Sequence, residues 1–137
     1  MPNSRPAVVA IINSNDDLVA ILEENLKAGG YNVVSAHIAQ IKTGKQDFPK
    51  FLRLHQPDVV IYDVAIPYQE NWTFLMMLRH LPECHSIPFV ITTVNKRALD
   101  EELGKKTDCV EIRGGHADDL QPVIDAVDAA LKRKHRR

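Results

Sequence analysis

Short apolar runs alternate along this chain with segments whose apolar positions recur every three or four residues. A run of four to eight apolar residues fits a strand buried on both faces, and the three-four spacing fits a helix with one buried stripe. Ala7 to Ile12 predicts strand one. Helix one follows, with Leu18, Ile21, Leu22 and Leu26 on its stripe and Glu23, Glu24 and Lys27 away from it. Asn15 is its expected N-cap, Asp16 and Asp17 suit the positive end of its dipole, and Gly29-Gly30 ends it. Tyr31 to Ala36 predicts strand two.

From His37 to Gln46 no period is visible, and a loop is expected. Asp47 then caps a helix carrying Phe48, Phe51 and Leu52, with Pro49 tolerated in its first turn, and Pro57-Asp58 ends it. Val59 to Tyr62 predicts strand three, about Trp72 to Leu81 helix three, and Phe89 to Thr93 strand four. A short polar helix four is expected over about Lys96 to Lys105 and strand five over Cys109 to Ile112. Leu120, Val123, Ile124, Val127 and Leu131 mark helix five, from Asp118 onward. Such alternation predicts an α/β three-layer sandwich, flavodoxin-like, with a five-stranded parallel sheet in the order 2-1-3-4-5. Right-handed crossovers bring the loops after Ile12, Tyr62, Thr93 and Ile112 to one edge. The chain is read as a single domain over 1–137, with about 1–6 and 133–137 as tails.

Composition narrows the function classes. A chain of 137 residues with 45% hydrophobic and 26% charged positions buries a core without staples. The net charge of −1 gives no field for nucleic acid or membrane, although Lys132 to Arg137 form a basic run suited to a solvated helix end. No stretch approaches the roughly 20 apolar residues of a membrane span, and a cytoplasmic location is expected. Cys84 and Cys109 have no metal spacing and read as buried thiols.

Asp63 carries the chemistry. It ends the run Val59-Val60-Ile61-Tyr62, and a strand buried on both faces accommodates a charge only at its tip. The tips of parallel strands are also where ligands gather.

From about Ala7 to Leu131 the chain resembles the receiver domains of two-component response regulators. Pro57-Asp58-Val59-Val60-Ile61-Tyr62-Asp63 is similar to the family's strand three with its phospho-acceptor aspartate, and Ile66-Pro67 to the proline that follows. Ile87-Pro88-Phe89-Val90-Ile91-Thr92-Thr93 is similar to strand four, which puts Thr93 at the position of the switch hydroxyl. Thr92 is read as a residue of high β propensity. Asn71 stands where the family commonly has glycine and is read as a turn residue able to take positive φ.

Other family positions are changed. The acidic pair that holds a divalent metal is matched by Asn13 and Ser14, the lysine and proline after strand five by Ile112 and Arg113, and the aromatic conformational reporter by Cys109. Phosphoryl transfer to a carboxylate depends on positioning and on cations that neutralise developing charge. Mg²⁺ favours carboxylate and water ligands. The resemblance implies Mg²⁺ between an acid of the pair, Asp63 and the carbonyl matched by Ala65, so Asn13 and Ser14 weaken that site. Asp16 and Asp17 are nearby acids already explained by the helix dipole. Arg113 reaches a phosphate on Asp63 only if Gly114-Gly115 turns the strand end back.

The expected function is therefore a receiver-like domain in phosphorelay signalling, not an enzyme, with Asp63 as candidate acceptor. The degenerate metal site favours partner binding that is independent of phosphorylation. A sensor histidine kinase or phosphotransfer protein is the expected donor, and a protein partner or second copy is expected on the face of helix four, strand five and helix five. The rival is a small flavodoxin-like enzyme or cofactor-binding domain. Against it, Asn13-Ser14-Asn15-Asp16 has no glycine and the chain has no Gly-x-Ser-x-Gly elbow.

Overall fold

The structure, a computed structural model, describes residues 5–114 and 117–135. Strands β1 (Val8–Asn13), β2 (Asn32–His37), β3 (Val59–Asp63), β4 (Phe89–Thr93) and β5 (Val110–Glu111) form one parallel sheet in the order β2-β1-β3-β4-β5. Every residue of β1 and β3 is buried, as their unbroken apolar runs require of central strands. Val9 pairs with Val59 and Ile12 with Tyr62, while Asp63 pairs with Thr92.

Helices α1 (Asp16–Ala28), α2 (Ile38–Lys42), α3 (Phe48–His55), α4 (Tyr68–Arg79), α5 (Lys96–Leu103) and α6 (Gln121–His135) cover the sheet. Because successive strand side chains face opposite ways, the core divides in two. Val9, Ile11, Val59, Ile61 and Val90 pack toward α1 and α6, against Leu22, Leu26, Val123 and Val127. Ala10, Ile12, Val60, Tyr62 and Ile91 pack toward Phe51, Leu52, Leu75 and Leu99 on the other side. The three layers and strand order are those the sequence pattern predicts. No helix among the described residues is long and apolar enough to cross a membrane.

Three local expectations need correction. The expected loop at 37–46 contains α2, whose start is capped by His37 Nδ1 accepting from the Ala39 N–H at 3.1 Å, and whose Ile41 is buried. One turn carries too few apolar positions to show a period. Helix α4 begins at Tyr68, four residues before the expected Trp72, because Pro67 already supplies an extended N-cap and Tyr68 and Leu75 bury on one stripe. Asn71 is consequently helical, and among the described non-glycine residues only Gln56, which ends α3, has positive φ.

The caps at Asn15 and Asp47 form as expected, with their carboxamide and carboxylate oxygens accepting from Leu18 N at 3.1 Å and Lys50 N at 3.0 Å. Gly104 closes α5 at φ 71°, a conformation that glycine adopts without steric cost. Of the basic run, Lys134 Nζ lies 3.4 Å from Asp58 Oδ1, while Arg136 and Arg137 fall outside the described residues, as does Gly115 of the expected glycine turn.

Candidate functional site

Asp63 is the last residue of β3 and only 7% exposed, at the edge where β1, β3 and β4 end. Strand alternation turns it to the same side of the sheet as Val59 and Ile61, toward α1 and α6. Its Oδ1 accepts from Thr92 Oγ1 at 2.7 Å. Burial pushes its carboxyl above the ordinary aspartate range, and the Thr92 hydrogen bond pulls it partly back. No described cation forms an ion pair with it.

Asn13 ends the neighbouring strand. Pairing of Ile12 with Tyr62 leaves Asn13 and Asp63 as the next residues of adjacent strands, on the same side of the sheet. Asn13 is 2% exposed, and its Oδ1 accepts from the N–H groups of Ser14 and Asn15 at 2.7 and 3.0 Å. Two amide donors identify that atom as the oxygen. Its Nδ2 is therefore the amino group, buried and without a hydrogen-bond partner among the described residues. Ser14 is exposed at the rim.

Thr93 is buried on the opposite side of the sheet and donates from Oγ1 to Val64 O at 2.8 Å. The hydroxyl on Asp63 is that of Thr92, a residue whose identity alone signals only β propensity. Cross-strand register, Asp63 opposite Thr92, is what selects it.

Ala65 O accepts from Asn71 Nδ2 at 2.8 Å, and Asn71 Oδ1 in turn accepts from Lys42 Nζ. Lys42 Nζ also stands 5.4 Å from the Phe74 ring centre. Neither Asn71 nor Lys42 is identifiable as part of this edge from sequence, because their meeting requires α2 and the early start of α4.

After β5, Ile112 is 2% exposed and packs in the α1–α6 core, with its N–H donating to Thr93 O at 2.9 Å. Arg113 projects outward, its side chain 80% exposed, and donates from Nε to Glu111 Oε1 at 2.9 Å. Cys109 is buried under α5, and burial raises its thiol above the ordinary cysteine range. A compact buried thiol thus occupies the position matched to an aromatic side chain.

These donors do not suit Mg²⁺, which requires oxygen lone pairs in strict octahedral geometry. Asn13 Oδ1 already accepts from two amides, the adjacent Nδ2 presents hydrogens, and Ala65 O already accepts from Asn71. Among the described residues no group of three or more His, Cys, Asp or Glu could hold a metal ion. Of the described residues matched to the metal site, Asp63 alone is a carboxylate.

No family model matches the chain. Among curated proteins it is similar to Protein Rrf1 of Nitratidesulfovibrio vulgaris, 26% identical over 88 residues, a match covering 64% of this chain and 59% of that protein's length. Solved structures resemble it more extensively. A putative response regulator from Chloroflexus aurantiacus superposes with TM-score 0.65 at 20% identity, over 93% of this chain and 99% of the other. A response regulator from Thermotoga maritima gives TM-score 0.65 at 18% identity, over 93% and 99% of the two chains. The chemotaxis protein CheY4 of Vibrio cholerae gives 0.62 at 18%, over 90% and 99%. With the order β2-β1-β3-β4-β5 and helices on both faces, the chain has the fold of the response-regulator receiver domains.

Proposed function

We propose that this chain is a single receiver-like domain in phosphorelay signalling, acting in the cytoplasm as a binding module that engages a protein partner without depending on phosphorylation of Asp63. The observation that carries this reading is a desolvated carboxylate with a threonine hydroxyl as its hydrogen-bond donor and, among the described residues, no cation in an ion pair with it. Phosphoryl transfer to a carboxylate needs positive charge against the incoming oxygens, and here the amide of Asn13 stands where an acid would hold a metal ion and the alkyl group of Ile112 where a lysine would stand. Asp63 retains the position of an acceptor and Thr93 that of the neighbouring strand-end hydroxyl, so a histidine kinase or phosphotransfer protein would find an inefficient substrate. Arg113 contacts a phosphate there only by leaving Glu111, and Cys109 cannot act as a rotating aromatic reporter. Mg²⁺ binding is correspondingly weak.

Partner binding is assigned to α5, β5 and α6. A groove of about 610 Å³ on the α5 and β5 part of this face is lined by both signs of charge, four cations that include Lys105 and Lys106 against Asp100, Glu101 and Glu111. Mixed charge of this kind suits a protein surface or a second copy rather than a polyanion.

Incubation with Mg²⁺ and acetyl phosphate, followed by intact mass spectrometry, tests the proposal. The expected result is no phosphoryl adduct under conditions that label an ordinary receiver. Stoichiometric labelling that disappears in Asp63→Asn would overturn it.

A further inference from the structure

Lys42, Asn71 and Ala65 form a hydrogen-bonded chain from α2, through the first turns of α4, to the segment that leaves Asp63. An ammonium only donates, so Lys42 commits Asn71 Oδ1 to itself and leaves Nδ2 for the Ala65 carbonyl. The amide orientation follows from these partners. Lys42 is itself braced against the Phe74 ring. A carbonyl oxygen two residues beyond Asp63 is thus held by an internal donor, with a positive charge one side chain behind it.

We propose that Asn71, oriented by Lys42, is a positioning residue that holds the Ala65 carbonyl in place of a metal ion and bars a divalent cation from this edge. The inference rests on the receiver-like reading of the edge, but it concerns cation entry and not phosphorylation. A cation approaching Ala65 O meets an oxygen already accepting a hydrogen bond and feels the repulsion of the Lys42 ammonium. At the end of the strand beside Asp63, Asn13 offers a buried amino group in place of an anion, and its hydrogens cannot ligate a cation. The two amides therefore act at separate places: Asn13 removes an anionic ligand, and Asn71 occupies a neutral one. Restoring the anion alone leaves the second obstacle.

The test uses the full chain and Mg²⁺ itself. Trp72, the single tryptophan, adjoins Asn71 and reports binding by fluorescence, with calorimetry giving the affinity independently. Wild type and Asn71→Ala are compared with Asn13→Asp, Asn13→Asp/Asn71→Ala and Asn13→Asp/Lys42→Met. Wild type should show no saturable response. Asn13→Asp should bind weakly, and adding Asn71→Ala should tighten Mg²⁺ about tenfold, the scale of one freed hydrogen bond together with the removal of a fixed repulsion. Asn13→Asp/Lys42→Met leaves both site residues in place but frees the amide to turn its oxygen outward, and it should shift affinity in the same direction. This second variant decides the matter if loss of Asn71 unfolds α4. Equal Mg²⁺ affinity with and without Asn71, saturable binding by wild type, or no binding by any variant would each overturn the proposal. Efficient phosphorylation of wild type would sink the proposed function, whereas the Mg²⁺ comparison between variants judges Asn71 alone.

Discussion

Thr92 Oγ1 donates to Asp63 Oδ1 at 2.7 Å, across a register that sets these two residues opposite one another on β4 and β3. The adjacent Thr93 turns to the other side of the sheet and donates to Val64 O at 2.8 Å. One strand end therefore carries two buried hydroxyls with separate tasks, one stabilising a carboxylate and the other fixing the backbone after it. A hydrogen bond to a charged group contributes about 1.5–3 kcal/mol, more than one between neutral partners.

Thr92→Val should raise the Asp63 carboxyl further and destabilise the fold by about 1–3 kcal/mol at neutral pH, since the lost donor served a charged acceptor. Thr93→Val leaves a neutral carbonyl without its partner, at a cost of about 1 kcal/mol, and should leave the Asp63 titration in place. Carboxyl ¹³C shifts followed against pH, with urea denaturation of both variants, separate the two. Equal movement of the Asp63 titration in both would contradict this division.

Asp63→Asn should stabilise the protein at neutral pH by about 1–3 kcal/mol, the scale of relieving a desolvated polar group. The sign follows from linkage. A carboxyl raised in the folded state binds more protons there than in the unfolded chain, so stability falls as pH rises from the unfolded value through the raised one. Denaturation midpoints of wild type and Asp63→Asn should therefore converge in acid and diverge toward pH 7. A constant difference across that range would refute the assignment.

Asp100 ties α5 to the approach of β5, accepting from Lys96 Nζ at 2.6 Å and from Thr107 Oγ1 at 2.7 Å. The Lys96 hydrogen bond, followed by that of Thr107, lowers its carboxyl to about 2. Its contribution is present above the unfolded aspartate value and fades as pH falls toward about 2. Asp100→Ala should loosen the segment between Gly104 and Cys109 at neutral pH and remove the acid dependence of that loosening, as read by amide hydrogen exchange. Unchanged exchange there at pH 7 would contradict the prediction.

At the opposite edge of the sheet, Asp58 Oδ2 accepts from the Val8 N–H at 2.8 Å, while Lys134 Nζ lies 3.4 Å from Oδ1. The buried amide should dominate. Asp58→Ala should cost about 1–2 kcal/mol, and Lys134→Ala less than about 1 kcal/mol, because a partly exposed ion pair is screened by solvent. Urea denaturation at low and high salt distinguishes them, the lysine effect being the one that salt diminishes. A larger loss from Lys134→Ala would reverse this ranking.

Much of the architecture is legible in particular residues. Val8 to Ile12 and Val59 to Tyr62 are continuous apolar runs, which only central strands buried on both faces require, and their helical partners follow from Leu18, Leu22 and Leu26 or Val123 and Val127. α2 is not legible because one turn offers only a single buried position, Ile41. The start of α4 was obscured because Pro67 and Tyr68 carry no strong local helix signal, and with it went the helical setting of Asn71. Within the edge, the position of Asp63 and the loss of charge at Asn13 and Ile112 are visible directly in residue identity.

The partnerships at that edge are a different matter. Residue identity determined that a carboxylate would stand at a strand tip with few cations near it, because burial of β3 admits a charge only there. Tertiary structure decided that Thr92 rather than Thr93 meets it, that Asn13 turns its oxygen to its own loop, and that Asn71 reaches Ala65 under the hold of Lys42. Hydrogen bonds need partners within about 3 Å and correctly aimed. Between residues 29 positions apart, as Asp63 and Thr92 or Lys42 and Asn71 are, only the register of strands and the seating of helices supply that aim.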